Sequence, residues 1–154
     1  MLPRWLTPPL VLLLACAGCG SSGDTYFARG SQRSAGAYAF DGTEDGAWSY
    51  RYPDGQLRER GSWDQGKRVG TWTQWYPSGQ RHSTGERRWD AAFRGSPREG
   101  PWTFWYANGE LRARGSFTDG RAAGEWRWWN HLGELDARRS GVYVDGERVG
   151  ELPG

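Results

Sequence analysis

The fold is decided by a ten-residue motif that occurs twice almost unchanged, as GTWTQWYPSG at residues 70–79 and as GPWTFWYANG at residues 100–109. Aromatic residues alternate with small or polar ones over its first half, which is the period-2 pattern of a β-strand with two different faces. Pro or Ala, a polar residue and Gly then close the motif. This ending is typical of a tight turn because Gly readily adopts a positive φ. The motif therefore predicts a strand followed by a hairpin turn.

Weaker copies of the motif lie on both sides, so the chain is a repeat protein. Each copy has Gly two residues before its leading Trp and another Gly seven residues after it. A fixed period of this kind settles the architecture before any local pattern does. Partial copies flank the array at residues 36–42 and 143–150. The leading tryptophans are Trp48, Trp72, Trp102 and Trp126, separated by 24, 30 and 24 residues.

Helices are excluded over the repeats, because a Gly at every five to nine residues would cost about 1 kcal/mol each in a helix interior. We predict an all-β fold: an elongated, single-layer antiparallel meander of roughly nine or ten strands. The repeat sheet is expected to cover residues 37–150 and to be followed by a short tail at 151–154. Residues 20–36 are rich in Gly and Ser and lack periodicity, which predicts a flexible tether.

The repeat unit, G-x-W-x-x-W/Y-Y-P-x-G followed by G-x-aromatic-x-D-G-x-x-x-G, resembles the MORN repeat. It is most similar to the bacterial variant often found in tandem in lipoproteins. The resemblance covers about residues 36–150 and amounts to about four full units with partial caps. The fourth unit departs from the pattern, with WNH at residues 129–131. The resemblance implies stacked β-hairpins and an interaction role, and it implies no catalytic residues.

Composition indicates an aromatic core and argues against nucleic-acid binding. The chain has 11 Trp and no Ile, so branched aliphatic side chains cannot fill its interior. The formal net charge is only +2, which gives no electrostatic footprint for nucleic acid. Lys67 is the only Lys among 20 basic residues, a skew towards Arg that we attribute first to GC-rich codon usage.

The N-terminus reads as a targeting segment. Residues 1–19 combine a basic start, a short apolar run and small residues around the only two cysteines, Cys16 and Cys19. This resembles the lipobox of bacterial lipoproteins, with Cys16 the slightly better match and Cys19 the alternative for lipidation. The sequence therefore predicts an exported protein, anchored by lipid to a membrane of the bacterial cell envelope. An ordinary signal peptide cleaved near residues 17–18 is the alternative.

No catalytic, metal or cofactor site is expected from the sequence. His82 and His131, the only histidines, lie in different repeats and lack metal-ligand spacing. No Cys is available within the repeats, and no G-x-S-x-G elbow is present. Most carboxylates fall in the recurring turns, where Asp is favoured by local hydrogen bonds. We therefore expect a protein that is not an enzyme.

Two sets of aromatic residues are expected on opposite faces of the sheet. The leading tryptophans of the repeats are predicted to form the core of one face, because they recur in register with the glycines. Trp75, Trp105 and Trp129 fall on the other face by alternation. Two interpretations of this second column stay open: an exposed binding surface or a minor second core.

A break in the period supplies the other candidate site residues. Gly85 and Gly100 are fifteen residues apart, where the first unit uses nine, and the extra length contains Phe93 and Arg94. Insertions in repeat arrays go into loops that often carry the binding function, so we expect Phe93 and Arg94 to join the nearby Trp75 and Trp105 in one contact surface. A neutral insertion is the alternative, since a longer surface loop costs little free energy.

These observations predict a non-catalytic, envelope-anchored lipoprotein that acts as a protein-interaction module through its repeat sheet. The expected partner is an envelope protein whose identity the sequence does not give. The alternative is a glycan-binding module, in which the column Trp75, Trp105 and Trp129 stacks on sugar rings of peptidoglycan or capsule. Direct binding to a lipid surface is less well supported, because no basic cluster accompanies the aromatic residues.

Replacing Cys16 and Cys19 together by Ser should abolish lipid labelling and release the protein from the membrane fraction, because the lipid would be its only anchor. Metabolic labelling with a fatty-acid analogue and membrane fractionation measure both effects. Single substitutions identify which Cys is modified. Unchanged labelling of the double variant at the membrane would contradict the lipoprotein interpretation.

Overall fold

A computed structural model describes residues 21–28 and 30–153, and these form one open antiparallel sheet whose eleven strands follow each other in chain order. The prediction of an all-β, single-layer meander is confirmed. Within the described ranges there is no helix with the length and apolarity to span a membrane. The lipobox lies outside the described residues. The strands are β1 Thr25–Tyr26, β2 Gln32–Tyr38, β3 Glu44–Arg51, β4 Leu57–Asp64, β5 Lys67–Trp75, β6 Arg81–Arg87, β7 Arg98–Trp105, β8 Leu111–Thr118, β9 Arg121–Trp128, β10 Gly141–Val144 and β11 Glu147–Gly150.

Two kinds of turn occupy the two long edges of the sheet. At one edge, here called the motif-turn edge, the amide of Gly55 donates to the carbonyl of Tyr52 at 2.9 Å and Gly55 has a φ of 90°. The turns that end at Gly79, Gly109 and Gly133 repeat this bond. At the other edge, the link edge, two-residue turns such as Gln65–Gly66 have positive φ at both positions. That geometry matches the twist of a hairpin.

The core is built around four tryptophans, each lying across a glycine of the preceding strand. We call Trp48, Trp72, Trp102 and Trp126 the core tryptophans; each is at most 3% exposed. A methyl group built on any of the glycines beneath them would collide with the indole ring, so only Gly lets the ring reach the backbone. The face that carries these rings is called the core face. The glycines beneath them are Gly36, Gly61, Gly85 and Gly115.

The indole N–H of every core tryptophan donates a hydrogen bond to a nearby backbone carbonyl. The Nε1 of Trp102 donates to the carbonyl of Glu86 at 3.0 Å, and that of Trp126 donates to the carbonyl of Ser116 at 3.0 Å. Trp72 uses the carbonyl of Val69 at 3.2 Å. A buried indole N–H without a partner would carry a desolvation penalty of about 1–3 kcal/mol. These bonds let a large polar-tipped ring serve as a core residue.

Arginine side chains cover the core face where a second layer would lie in a larger domain. The Cζ of Arg68 is 4.1 Å from the centroid of Trp72, and that of Arg98 is 4.9 Å from the centroid of Trp102. Further along, the Cζ of Arg139 is 3.9 Å from the centroid of Trp128. Such cation–π contacts contribute about 0.5–2 kcal/mol each, depending on desolvation. The excess of Arg over Lys therefore has a structural use that composition alone does not reveal.

The sheet begins earlier than predicted, and this corrects the tether assigned to residues 20–36. Strands β1 and β2 fall within or across that segment, and β2 pairs with β3. Ser34 is buried, and Gly23 and Gly36 both lie against the ring of Trp48. The small residues in this segment are therefore required for packing under the first core tryptophan, whereas the composition had suggested flexibility. At the other end, β11 ends at Gly150.

Substituting Gly85 by Ala should destabilise the protein by about 2–3 kcal/mol, because the new methyl group must displace the buried ring of Trp102. Gly95 is the matched control: its nearest neighbour is an ordinary contact 3.7 Å away, so Gly95→Ala should change stability by less than about 0.5 kcal/mol. Urea denaturation followed by tryptophan fluorescence measures both. Equal stability of the two variants would show that the rings do not depend on their glycines.

Candidate functional site

The face opposite the core tryptophans, here called the second face, carries a stripe of large side chains along the motif-turn edge. The stripe contains the predicted column Trp75, Trp105 and Trp129, and all three residues are half-buried. Each of these tryptophans has a large side chain opposite it on the segment that follows the turn, and these partners were not anticipated from the sequence. The structure pairs Trp75 with Arg81, Trp105 with Leu111, and Trp129 with Leu135.

A shallow depression of about 350 Å³ lies between Trp75 and Trp105 on this stripe. Gln80 and Arg81 contribute its polar groups, and the Arg81 guanidinium carbon is 5.2 Å from the centroid of the Trp105 ring. Next to Trp129, Leu135 is 49% exposed, so the apolar stripe continues to the end of the fourth unit. The stripe is thus partly packed against itself and partly open to solvent.

Tyrosine hydroxyls hold the backbone of the stripe in place. The hydroxyl of Tyr52 donates to the carbonyl of Trp75 at 2.9 Å, and Tyr76 does the same to Trp105 at 2.9 Å. Tyr106 repeats the bond to Trp129 at 2.8 Å. Each bond joins one repeat to the next at the position of a stripe tryptophan. The recurrence of Tyr at these three positions was visible in the sequence, but its partner was not.

The insertion loop, residues 88–97, does not join the stripe, so the predicted common surface is wrong. The loop connects β6 to β7 at the link edge, whereas Trp75 and Trp105 end their strands at the motif-turn edge. An eight-residue strand separates the two edges by about 25 Å. Phe93 is 52% exposed and Arg94 is exposed, with a φ of 48°. Sequence reasoning placed them together because it ignored the direction in which each strand runs.

The loop instead packs against neighbouring link-edge turns. Arg88 lies 3.2 Å from a carboxylate oxygen of Asp119, and Arg87 donates to the carbonyl of Ser96 at 2.7 Å. The ammonium of Lys67 is 5.3 Å from the centroid of the Trp89 ring. Only the tip of the loop therefore remains free of the sheet.

A chain of hydrogen bonds crosses the first half of the core face. Glu59, which is 7% exposed, receives two bonds from Arg68, of 2.7 and 3.1 Å, and a third from Gln74 at 3.0 Å. Ser83 donates to Gln74 at 2.9 Å and lies 3.1 Å from Nδ1 of His82. Because this carboxylate is fully paired, its burial does not leave an isolated charge.

The contact between His82 and Ser83 does not have the properties of a nucleophile and its base. Ser83 has no exposed surface, and its hydroxyl proton is already donated to Gln74. The pKa of His82 is lowered by burial and, to a smaller extent, by the nearby charges of Arg112 and Arg98. In the part of the chain that the structure describes, no three His, Cys, Asp or Glu residues are grouped as metal ligands would be.

Three of the repeats are similar to a known protein family. Three tandem segments match the family model described as MORN repeat variant: residues 44–65, 68–87 and 98–119. No curated protein sequence matches the chain. Each matched segment contains one core tryptophan and the glycine that lies beneath the next one, and each forms a hairpin of the sheet. The segment around Trp126 is not matched, although its ring lies on Gly115 as the others lie on their glycines.

The family match and the geometry agree. A family of this kind is generally a non-catalytic repeat module used for binding, and the described residues present an ordered surface of repeated side chains. The sheet is therefore a tandem array of β-hairpins, three of which, at residues 44–65, 68–87 and 98–119, match the MORN repeat variant.

Proposed function

We propose that this chain is a non-catalytic, lipid-anchored protein of the bacterial cell envelope that binds a partner protein through the stripe on its second face. The observation that carries the proposal is the alternation of Trp75, Trp105 and Trp129 with long cross-strand partners. A single-layer sheet needs only one covered face, and the core tryptophans already provide it. An additional partly exposed apolar stripe is characteristic of a contact site.

The chemistry of the stripe favours a protein partner. Trp and Arg are the residues most enriched among those that dominate the energy of protein interfaces, and here Arg81 stacks on Trp105. The Tyr hydroxyl bonds fix the strand that presents each tryptophan, so little order has to be gained on binding. A pre-organised row of this kind suits an extended segment or a flat surface of the partner.

The proposed anchor rests on the lipobox alone. Because the sheet already includes Ser22, bridged to Ala37, few residues separate it from Cys16 or Cys19. At about 3.5 Å per extended residue, the three steps from Cys19 to Ser22 span at most about 10 Å. Lipidation at Cys19 would hold the first strands next to the membrane, and lipidation at Cys16 would place them only slightly further away.

Glycan binding is the second candidate, supported by the depression between Trp75 and Trp105. Its floor is flanked by two indole rings, while Gln80 and Arg81 offer donors and an acceptor at its rim. Flat apolar surfaces beside a few polar groups suit a sugar ring, which has apolar faces and polar edges. Peptidoglycan and capsule are the envelope glycans that this site would meet.

Replacing Trp75 and Trp105 together by Ala should reduce capture of the envelope partner at least about tenfold, because hot-spot side chains contribute about 2 kcal/mol or more each. Phe40, which is fully exposed, provides the matched control, and Phe40→Ala should leave capture unchanged. Capture is measured by cross-linking in intact cells and quantitative mass spectrometry, with thermal melting as the check on folding. A folded double variant that captures the same proteins as the parent would contradict the proposal. Loss of sedimentation with purified peptidoglycan, with protein capture intact, would favour the glycan candidate.

Shortening the insertion loop tests whether it belongs to the same surface. Replacing Ala91–Arg94 by Asn-Gly joins Asp90 to Gly95 through a two-residue turn, and these residues already form a bridge. We expect partner capture to change by less than about twofold, because the loop lies about 25 Å from the stripe tryptophans. The same cross-linking assay measures this. A larger loss in a variant that melts like the parent would make Phe93 and Arg94 a second contact.

A further inference from the structure

The second half of the core face contains an aromatic groove that the proposed function does not use. It has a volume of about 320 Å³, within the range of small-ligand sites. Its lining includes Phe104, Phe117, Trp126, Trp128 and Tyr143. The rings of Phe104 and Trp126 are stacked, as are those of Trp126 and Trp128. The groove therefore offers a flat, rigid apolar floor.

Two arginines with no anionic partner face this groove. The guanidinium carbons of Arg98 and Arg112 are 5.3 and 5.5 Å from the centroid of the Phe104 ring. Neither belongs to any of the ion pairs within 4.0 Å found among the described residues. Burial lowers the pKa of Arg98, and the nearby charge of Arg112 lowers it further. Two like charges are thus held close together over an aromatic ring.

Unsatisfied donors lie in the same groove wall. The Nε of Arg112 and the Nε1 of Trp128 are both buried and have no hydrogen-bond partner. Buried N–H groups are nearly always paired, and each orphan costs about 1–3 kcal/mol. The core tryptophan next to Trp128, Trp126, by contrast, donates to a backbone carbonyl. The groove thus combines unpaired positive charge with unpaired donors.

Arg112 reaches the core face because of an irregularity in the strand pairing. Phe104 pairs with Ala113 and Trp105 pairs with Leu111, so Arg112 is the extra residue of a β-bulge. Bulges re-aim a side chain that alternation would place on the other face. The corresponding residue of the preceding repeat is His82, which also lines the groove. The β-bulge therefore places the Arg112 side chain on the core face, at the groove.

In the first half of the core face, the arginine that corresponds to Arg98 does have an anionic partner. There Arg68 also stacks on a core tryptophan, but Glu59 neutralises it through two hydrogen bonds. At the positions that continue this row, the second half has Phe104, Ala113 and Trp128 instead of polar residues. No carboxylate of the row is left to pair with Arg98 or Arg112.

We propose that this groove binds an amphipathic organic anion, with a carboxylate or phosphate group held between Arg98 and Arg112 and an apolar body lying on the aromatic floor. The planar guanidinium fork matches the oxygen geometry of both groups and binds them by paired hydrogen bonds. An anion here would remove the repulsion between the two arginines. The flat floor selects a planar or flexible apolar body.

Isothermal titration calorimetry of the purified 154-residue chain with three probes tests this inference. The probes are 2-naphthoate, 2-naphthyl phosphate and the neutral 2-naphthamide. We expect one or both anions to bind at least about tenfold more tightly than the amide, because a charge-assisted hydrogen bond accounts for about that factor. The two anionic arms show whether carboxylate or phosphate is preferred. Binding of the amide as tight as that of both anions, or no binding of any probe, would overturn the proposal.

Substitutions then localise the site. Arg112→Gln and Arg98→Gln should each weaken anion binding about tenfold or more, while Arg98→Lys, which keeps the charge over the core, should have an intermediate effect. Arg114→Gln is the matched control, since Arg114 is exposed, pairs with Thr103 and lies on the second face. Its anion binding should equal that of the parent. If Arg112→Gln and Arg98→Lys both bind as the parent does, the groove is not the site. Arg98 and Arg112 lie on the core face and the stripe lies on the second face, so partner capture reports separately on the proposed function.

Discussion

The structure depends on one contact, an indole ring lying flat on a glycine of the neighbouring strand. A single-layer sheet has no second sheet or helix to bury its side chains against, so the rings must cover the backbone itself. The absence of a side chain on the glycine lets the ring approach, and the indole N–H finds a carbonyl at the same place. This contact explains why the repeat retains both Trp and Gly at fixed spacing.

Two faces with different chemistry follow from that contact. The core face is closed by arginines that stack on the aromatic rings, so cations take the place of a second hydrophobic layer. The second face has Ser, Arg and Thr across its middle and concentrates its large residues at one edge. Arg68 is neutralised by Glu59, whereas Arg98 and Arg112 are not. The same repeated scaffold thus carries one arginine that is stacked on a ring and paired with a carboxylate, and two that are stacked on a ring without such a partner.

Much of the fold could be predicted from the sequence, because Trp and Gly recur with a period that only a hairpin array fits. The burial of the four tryptophans followed from their register with the glycines, and the opposite placement of Trp75 and Trp105 followed from alternation. The strands before residue 37 did not, since Gly and Ser serve packing and flexibility equally well and only Trp48 decides between them. The groove was missed because Arg112 reaches the core face through a bulge, which breaks the alternation on which sequence reasoning relies.

The contact between ring and glycine also has a direction, since every core tryptophan lies on the strand before its own. The strand before the first core tryptophan must therefore supply glycine without tryptophan, as β2 does with Gly36. The strand after the last core tryptophan must cover its ring from the open side, as Tyr143 of β10 does for Trp126. An internal duplication of one 24-residue unit would add one ring and one glycine together and leave both ends unchanged. The number of units can accordingly change during evolution without any change in the strands at the two ends of the array.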